Sequence, residues 1–583
     1  MKPHQDLADF PAKYETWLLL LFGTLVFLLY ARTLTGPFIF DDKHNIQQNR
    51  YIRMDRLRPG SIVQAALQSP SRHRPVANVS FALNYYFHRY NPVGYHFVNI
   101  LIHIINGTLL YLFTKITLRT PALKGDYDAF KVGWIPLLTA LIWTLHPLQT
   151  QTVSYIVQRM NSLATLFYLL CLWLYAKYRL AERAKQSPWL LVGCAASGVL
   201  AVGSKEIAAT LPFFIILYEW YFFQGVHQAW LKRKILLIAG AFIVFAGLSW
   251  LFLGMDPLSI ITVDAIHRKL PPVQRVLTEF RVVIFYLSLL IWPHPSRLNL
   301  DHDFMVSNSL TDPFSTLLCL AAIAGMVGAA IFLARKTPLI SFGILWFLGN
   351  LVIESSVVDL EIIFEHRTYL PSSMLIFMLV SLIFKYVKPR QICIAVLCAV
   401  VAVESFWTYQ RNAVWADAVT LWQDCVAKSP GKARPYNNLG VALAQAGQLD
   451  AAIENYYHAL RINPDYGNAH YNLGSTLARK GNLKSGIAHL SRAVELQPDS
   501  YDARNNLGIA LLKQGALQEA ITQFRIVLQH NANDSRAHNN LGDALRRQGK
   551  FKEAHHHFSE ALRINPAYEV ARKNYTDNLN NLK

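Results

Sequence analysis

The chain has 583 residues, of which 53% are hydrophobic and only 16% charged, with a formal net charge of +19. This balance excludes a purely soluble protein, and the length allows several domains. Much of the positive charge lies in short loops between apolar runs, which points to the positive-inside bias of a membrane protein and away from nucleic-acid binding.

The first apolar run, near residues 16–34, is long enough to cross a bilayer. No small-residue cleavage pattern follows it cleanly, so a retained span is predicted, not a removable signal. Further spans are predicted near 95–116, 132–146, 160–176, 188–203, 207–223, 235–254, 313–333, 338–353, 369–384 and 391–407. The run 279–292 either crosses or lies in the interface. Five loops carry the basic residues: Arg119, Lys124 and Lys131; Lys177, Arg179, Arg183 and Lys185; Lys232–Lys234; Arg335 and Lys336; Lys385, Lys388 and Arg390. If 279–292 does not cross, all five share one side, the cytoplasmic one. The expectation is a multi-pass protein of the cytoplasmic (inner) membrane. Its N-terminus is cytoplasmic, and its first loop and polar C-terminal part are external or periplasmic. The 41–92 loop is itself basic (Arg50, Arg53, Arg56, Arg58, Arg72, Arg74 and Arg89), which opposes that rule unless the charge has another task. Six cysteines form no CxxC pair, so neither a disulfide framework nor a zinc site is indicated.

The C-terminal part carries a repeat. Asn-Leu-Gly occurs at Asn438, Asn472, Asn506 and Asn540, 34 residues apart each time, and Asn574 continues the register. That period is the signature of the tetratricopeptide helix–turn–helix unit. Ala452, Gly486, Ala520 and Ala554 take the small helix-crossing position. Tyr456, Leu490, Phe524 and Phe558 take the large one, and Pro464, Pro498 and Pro566 close units, with Ala532 replacing the third. No single unit buries enough surface alone, so the units must stack. The fold class expected is all-α: a polytopic membrane helical bundle over 1–411, then an α-solenoid over 412–583. Four full repeats, about 433–568, would follow a partial unit and precede a capping helix. Stacking aligns Asn438, Asn472, Asn506, Asn540 and Asn574 along the concave side. A row of amides can pair with an extended peptide backbone whatever its side chains. The row resembles the asparagine ladder of O-GlcNAc transferase.

Just past the first span stands FDDKHN, Phe40–Asn45. Two adjacent carboxylates there are either solvated loop charges or a reaction centre at the membrane edge. The pair resembles the acidic motif of lipid-dependent glycosyltransferases of the GT-C fold, in which protein O-mannosyltransferases carry Asp-Glu, often with a His two residues later, as His44 is here. Four other segments are similar to the transmembrane-plus-tetratricopeptide O-mannosyltransferases: RPVANVSFALNYYFHRYNPVGYHFVNILIHIING (74–107), HPLQTQTVSYIVQRMNSLATLFYLLCLWLYA (146–176), SKEIAATLPFFIILYEW (204–220) and FEHRTYLPS (364–372). By this resemblance Asp41 is the base for the acceptor hydroxyl and Asp42 its neighbour in the catalytic pair, the donor is a polyprenyl-phosphate sugar, and the reaction inverts.

The residues support such chemistry independently. No GxxxxGK[ST] phosphate loop is present. A lipid-phosphate leaving group needs fixed cations, and the incoming hydroxyl needs a carboxylate within reach. Charges at membrane depth are functional candidates, and the candidates for the donor phosphate are Arg159, Lys205, Arg275, Arg281, His366 and Arg367. His146 before Pro147 reads as a helix end. The stretch Asp301–Asp303 carries metal donor atoms, but consecutive residues rarely converge on one ion, so no metal site and no cofactor is assigned. The partners expected are the lipid-linked donor, an acceptor protein held by the repeats, and the bilayer. Two alternatives stay open: a non-enzymatic membrane scaffold presenting repeats for envelope assembly, and a transferase of whole lipid-linked oligosaccharides.

Overall fold

The computed structural model describes residues 13–182, 187–253, 270–356 and 360–582. No strand occurs among them. The chain divides into two compact units, Met1–Asp417 and Ala418–Lys583. The division falls beyond the expected boundary after residue 411 because the last membrane helix, Arg390–Trp415, runs on unbroken. Its final turns belong to the first unit: Asn412 accepts a hydrogen bond from Ser154 at 2.9 Å and donates to the Leu29 carbonyl at 3.0 Å.

In the first unit a helix occupies every predicted span. Seven helices among the described residues are long and apolar enough to cross a membrane: Glu15–Thr33, Pro92–Thr117, Ile156–Leu180, Glu206–Phe223, Ser315–Leu333, Glu365–Tyr386 and Arg390–Trp415. Pro188–Val202 and Pro338–Leu351 are apolar but shorter, and Ala129–Leu145 meets Pro147–Ser154 at a 53° bend. Pro147 causes the bend, because proline disfavours helical backbone in the residue before it. The run 279–292 belongs to the 20-residue helix Pro272–Ile291, which buries Arg275, Thr278, Glu279, Val282, Tyr286 and Leu289 on one side.

Burial separates central from peripheral helices. The apolar window of Glu365–Tyr386 is 78% buried, against 11% for Ser315–Leu333, whose Ile331 and Phe332 are left outward as lipid requires. Lipid tails give helices no hydrophobic reason to associate, so close contact and interhelical hydrogen bonds must hold the centre. Both are present. A Cβ on Gly107 would lie 2.4 Å from the Thr144 methyl and 2.5 Å from the Phe22 ring. His103 joins the Tyr369 hydroxyl at 2.7 Å and the Thr144 carbonyl at 2.9 Å, Asn106 donates to the Ser162 carbonyl at 2.9 Å, and the Trp143 indole donates to the Tyr369 carbonyl at 3.0 Å.

The second unit holds four helix pairs: Ala433–Gln445 with Leu449–Ile462, Gly467–Arg479 with Leu483–Leu496, Tyr501–Gln514 with Leu517–His530, and Ser535–Arg547 with Phe551–Ile564. One helix, Ala418–Lys428, precedes them where a partial unit is expected, and Glu569–Asn580 follows. Each turn within a pair is made by a glycine of positive φ, Gly447, Gly481, Gly515 and Gly549, at 81–92°. The glycine of each Asn-Leu-Gly has a packing reason. A Cβ at Gly440, Gly474, Gly508 or Gly542 would meet Tyr456, Leu490, Phe524 or Phe558 at 2.4–2.8 Å. Small and large positions therefore form one contact, repeated four times. Gly508→Val is expected to cost roughly 1–3 kcal/mol through overpacking. The check is hydrogen exchange in the full chain: protection of 501–530 should fall while that of the membrane helices is unchanged.

Candidate active site

The loop after the first helix separates the two adjacent carboxylates. Phe40 has φ +45°, a left-handed backbone that a non-glycine residue rarely adopts. This turn sends Asp42 inward and leaves Asp41 exposed. Asp42 is fully buried and committed: Oδ2 accepts from the Ile39 amide at 3.0 Å and Oδ1 from the Val157 amide at 2.7 Å. Burial pushes its carboxyl up to about 8, and the two amides and the Arg159 charge pull against that. Asp42 thus ties the loop to the distant Val157 and presents no free edge to a substrate. The expectation that it shares the catalytic task with Asp41 is corrected to a holding role. The Asp41 amide donates to the Tyr155 hydroxyl at 2.8 Å, and its carbonyl accepts from Asn45 at 3.0 Å. His44 is exposed.

Several of the expected cations are engaged elsewhere. Arg159 is fully buried, with Nε on Asn99 Oδ1 at 2.7 Å, Nη2 on the Tyr95 carbonyl at 2.8 Å and Nη1 on the Ser80 carbonyl at 3.3 Å. Its guanidinium also lies over the Phe81 ring. A phosphate contact by Arg159 does not fit, because each of its nitrogens already answers a protein oxygen. Arg275 donates to the Ser356 and Leu360 carbonyls, and Arg367 to those of Ile362 and Glu361. Both guanidiniums flank Glu279, at 3.5 and 3.8 Å. Arg275 ties down Ser356 and Leu360, and a ligand role for it is corrected on the same ground; Arg367 ties down Glu361 and Ile362 with its two terminal nitrogens, while its buried Nε meets no protein acceptor. Arg281 donates to the Met305 carbonyl at 2.7 Å and stacks over Phe304.

Lys205 and His366 lie together in one cluster. Lys205 pairs with Glu354 at 2.8 Å; burial pulls its ammonium down, and Glu354 holds it up. Arg74 pairs with Glu206 at 3.0 Å and is partly exposed, with Nη1 on the Met160 sulfur at 3.1 Å. Lys205, Arg367 and Arg74 all act electrostatically on His366. His366 is buried, with its amide on Gln151 Oε1 at 2.7 Å and its Nδ1 3.2 Å from the same oxygen. In the sequence Arg74 is one basic residue of an unexpectedly basic loop and the first of the 74–107 segment. Of the remaining motifs, His146 caps the bend, accepting from the Leu148 amide and meeting the Leu290 carbonyl. His302 pairs with Glu365 at 2.9 Å.

One short turn joins the carboxylate loop to the cation cluster. Tyr155 holds Asp41 and Val157 holds Asp42. Three and four residues further on, Met160 touches Arg74 and Asn161 donates to the His366 carbonyl at 2.6 Å. The segment 155–161 thus serves as a common mount. No sequence signal marks this mount, since the partners are 86 to 205 residues away along the chain.

In the repeat unit the five asparagines are half-buried, and most are linked from repeat to repeat. Asn472 donates to Asn437 Oδ1 at 2.8 Å, Asn540 to Asn505 at 3.0 Å and Asn574 to Asn539 at 2.9 Å. Asn506 donates instead to the Tyr471 hydroxyl and Ser475, because residue 471 is not an amide. Asn438 accepts from Asn437 within its own unit at 3.1 Å. The neighbouring amide at the preceding position, unforeseen from the sequence, therefore orients the row.

Fold and site together define a multi-helix membrane protein carrying a tetratricopeptide array. Models described as "Tetratricopeptide repeat" match residues 471–535 and 505–569, and one described as "TPR repeat" matches 442–481. Over most of its length the chain is similar to curated proteins named protein O-mannosyl-transferases. It is 26% identical to Protein O-mannosyl-transferase F38B6.6 of Caenorhabditis elegans (77% of this chain, 63% of that one). It is 25% identical to Protein O-mannosyl-transferase TMTC4 of Homo sapiens (76% and 66%) and 24% identical to Protein O-mannosyl-transferase Tmtc3 of Drosophila melanogaster (68% and 49%). The chain spans about half to two thirds of the length of these relatives. Among solved structures, a TPR protein, YrrB, covers 27% of this chain and 80% of its own at 24% identity, with a TM-score of 0.25.

Proposed function

We propose that the protein is a membrane glycosyltransferase that moves a sugar from a polyprenyl-phosphate carrier to Ser or Thr hydroxyls of an acceptor protein, with inversion. The observation that carries this reading is the exposed Asp41 on a fixed mount that also reaches a mostly buried cation cluster. Asp41 takes the hydroxyl proton as the oxygen attacks the anomeric carbon. The bond from that carbon to the phosphate oxygen breaks, and the lipid phosphate leaves with the electron pair. A single displacement inverts the centre. Lys205 and Arg74, each held by one carboxylate, are the cations best placed to answer the departing charge. The names of the relatives support the transfer of mannose to protein. Loop charges support an inner-membrane topology with Asp41 and the repeats on the external side.

The test is transfer by the purified full-length protein from polyprenyl-phosphate mannose to a Ser/Thr-rich peptide. Wild type should transfer and Asp41→Asn should not; full activity in the variant would sink the assignment of the base. The repeats supply the acceptor side. Changing Asn472 and Asn506 together to Ala is expected to weaken capture of an extended peptide by about tenfold or more, at roughly 0.5–1.5 kcal/mol per lost hydrogen bond. Fluorescence anisotropy with a labelled peptide reads this directly, and equal affinity in the double variant would remove the ladder from the proposal.

A further inference from the structure

We propose that Tyr155 is a positioning residue for the candidate base, fixing the Asp41 carboxylate and keeping it ionised; this rests on the reading of Asp41 as that base. The Tyr155 hydroxyl faces Asp41. It accepts from the Asp41 amide at 2.8 Å, which brings the hydroxyl beside the Asp41 side chain. A phenol has one proton and can accept as well as donate. With the amide donating to the phenol oxygen, the phenol proton is left for the carboxylate. The ring is itself held still: Tyr155 is fully buried and stacks on Trp415 at 6.1 Å and 28°, and Trp415 in turn lies under Arg411. On either side, Ser154 is bonded to Asn412 and Val157 to Asp42.

The charged groups acting on this hydroxyl are Asp41 and Asp42. Burial first, and then both charges, disfavour the phenolate, so the phenol keeps its proton and remains a donor. A donor to the charged form of an acid favours that form. Without the hydroxyl, Asp41 would hold its proton to higher pH, and its carboxylate would turn freely about its side-chain bonds. Asp41 stands at an exposed position where an ordinary aspartate would be mobile, so a fixed donor matters more here than at a buried site.

The experiment is carbodiimide labelling of Asp41 with a small amine in the full-length protein, followed across pH by mass spectrometry. Labelling depends on protonation and needs no catalytic turnover. Tyr155→Phe is expected to move the labelling midpoint to higher pH. Incorporating 3-fluorotyrosine at 155, a better donor of nearly the same shape, should move it to lower pH, and this arm decides if Tyr155→Phe does not fold. In the transfer assay, Tyr155→Phe should lower kcat roughly 10- to 100-fold, as expected for loss of a hydrogen bond to a charged group. KM for donor and acceptor should stay within about twofold, and the acid limb of the pH profile should rise in step with the labelling midpoint. A midpoint that stays put in both variants overturns the inference, as does a kcat loss with an unmoved acid limb, which is what a merely structural ring would give. Retention of transfer by Asp41→Asn would instead overturn the base itself, so the two failures are distinguishable.

Discussion

Asp41→Asn is expected to fold like the wild type and to lose transfer activity by about 10²- to 10⁴-fold, the usual worth of a positioned general base. The two halves of this expectation come from different facts. The residue is exposed, and the asparagine amide oxygen still accepts a hydrogen bond where the carboxylate did. Its backbone contacts, the amide to Tyr155 and the carbonyl to Asn45, are kept by an asparagine. An amide cannot accept a proton at neutral pH, so only the chemistry is removed. Two measurements check this: single-turnover transfer from a lipid-linked sugar, and the thermal midpoint of the purified protein. A rate loss with an unchanged midpoint is the expected pair. A lowered midpoint would show that the residue is structural after all.

Asp42→Ala is expected to do the reverse, lowering stability first and activity as a consequence. The substitution strips the acceptor from two amides at once, Ile39 and Val157. Each orphaned buried donor costs about 1–3 kcal/mol, which is large beside the marginal stability of most folds. The two amides belong to segments more than a hundred residues apart, so the damage is not local. The carboxylate loop should come away from the 155–161 turn, and the geometry around Asp41 goes with it. Hydrogen exchange is the readout. Protection should fall at both 36–48 and 153–161 in Asp42→Ala, and at neither in Asp41→Asn. Equal protection in the two variants would show that the clamp does not hold the loop.

These two neighbouring aspartates mark the limit of what the sequence could tell. Adjacent carboxylates past a first span are visible in FDDKHN, but nothing in the letters says which faces inward. The direction is set by the positive φ of Phe40 and by an amide contributed from Val157. The cations show the same limit. Arg159, Arg275 and Arg367 were expected because charge at membrane depth is costly. That cost is met here by backbone carbonyls, which carry no sequence signature. A buried guanidinium with five donors is as well suited to stapling loops as to holding phosphate.

The repeat array needed no such help. Its period, its small and large positions and its turn glycines are local, and each recurs every 34 residues, so a pattern of this kind declares itself along one dimension. The membrane spans were legible for the same reason, since an apolar stretch must bond its own backbone as a helix wherever it crosses. The sequence by itself therefore determined the helices, the stacking of the repeats and the place where carboxylates leave the bilayer. Tertiary structure alone decided which carboxylate is exposed, which guanidiniums are spent on backbone carbonyls, and that one turn at 155–161 touches both groups. Those are facts of contact between distant segments, and contact depends on how helices pack, not on their order in the chain.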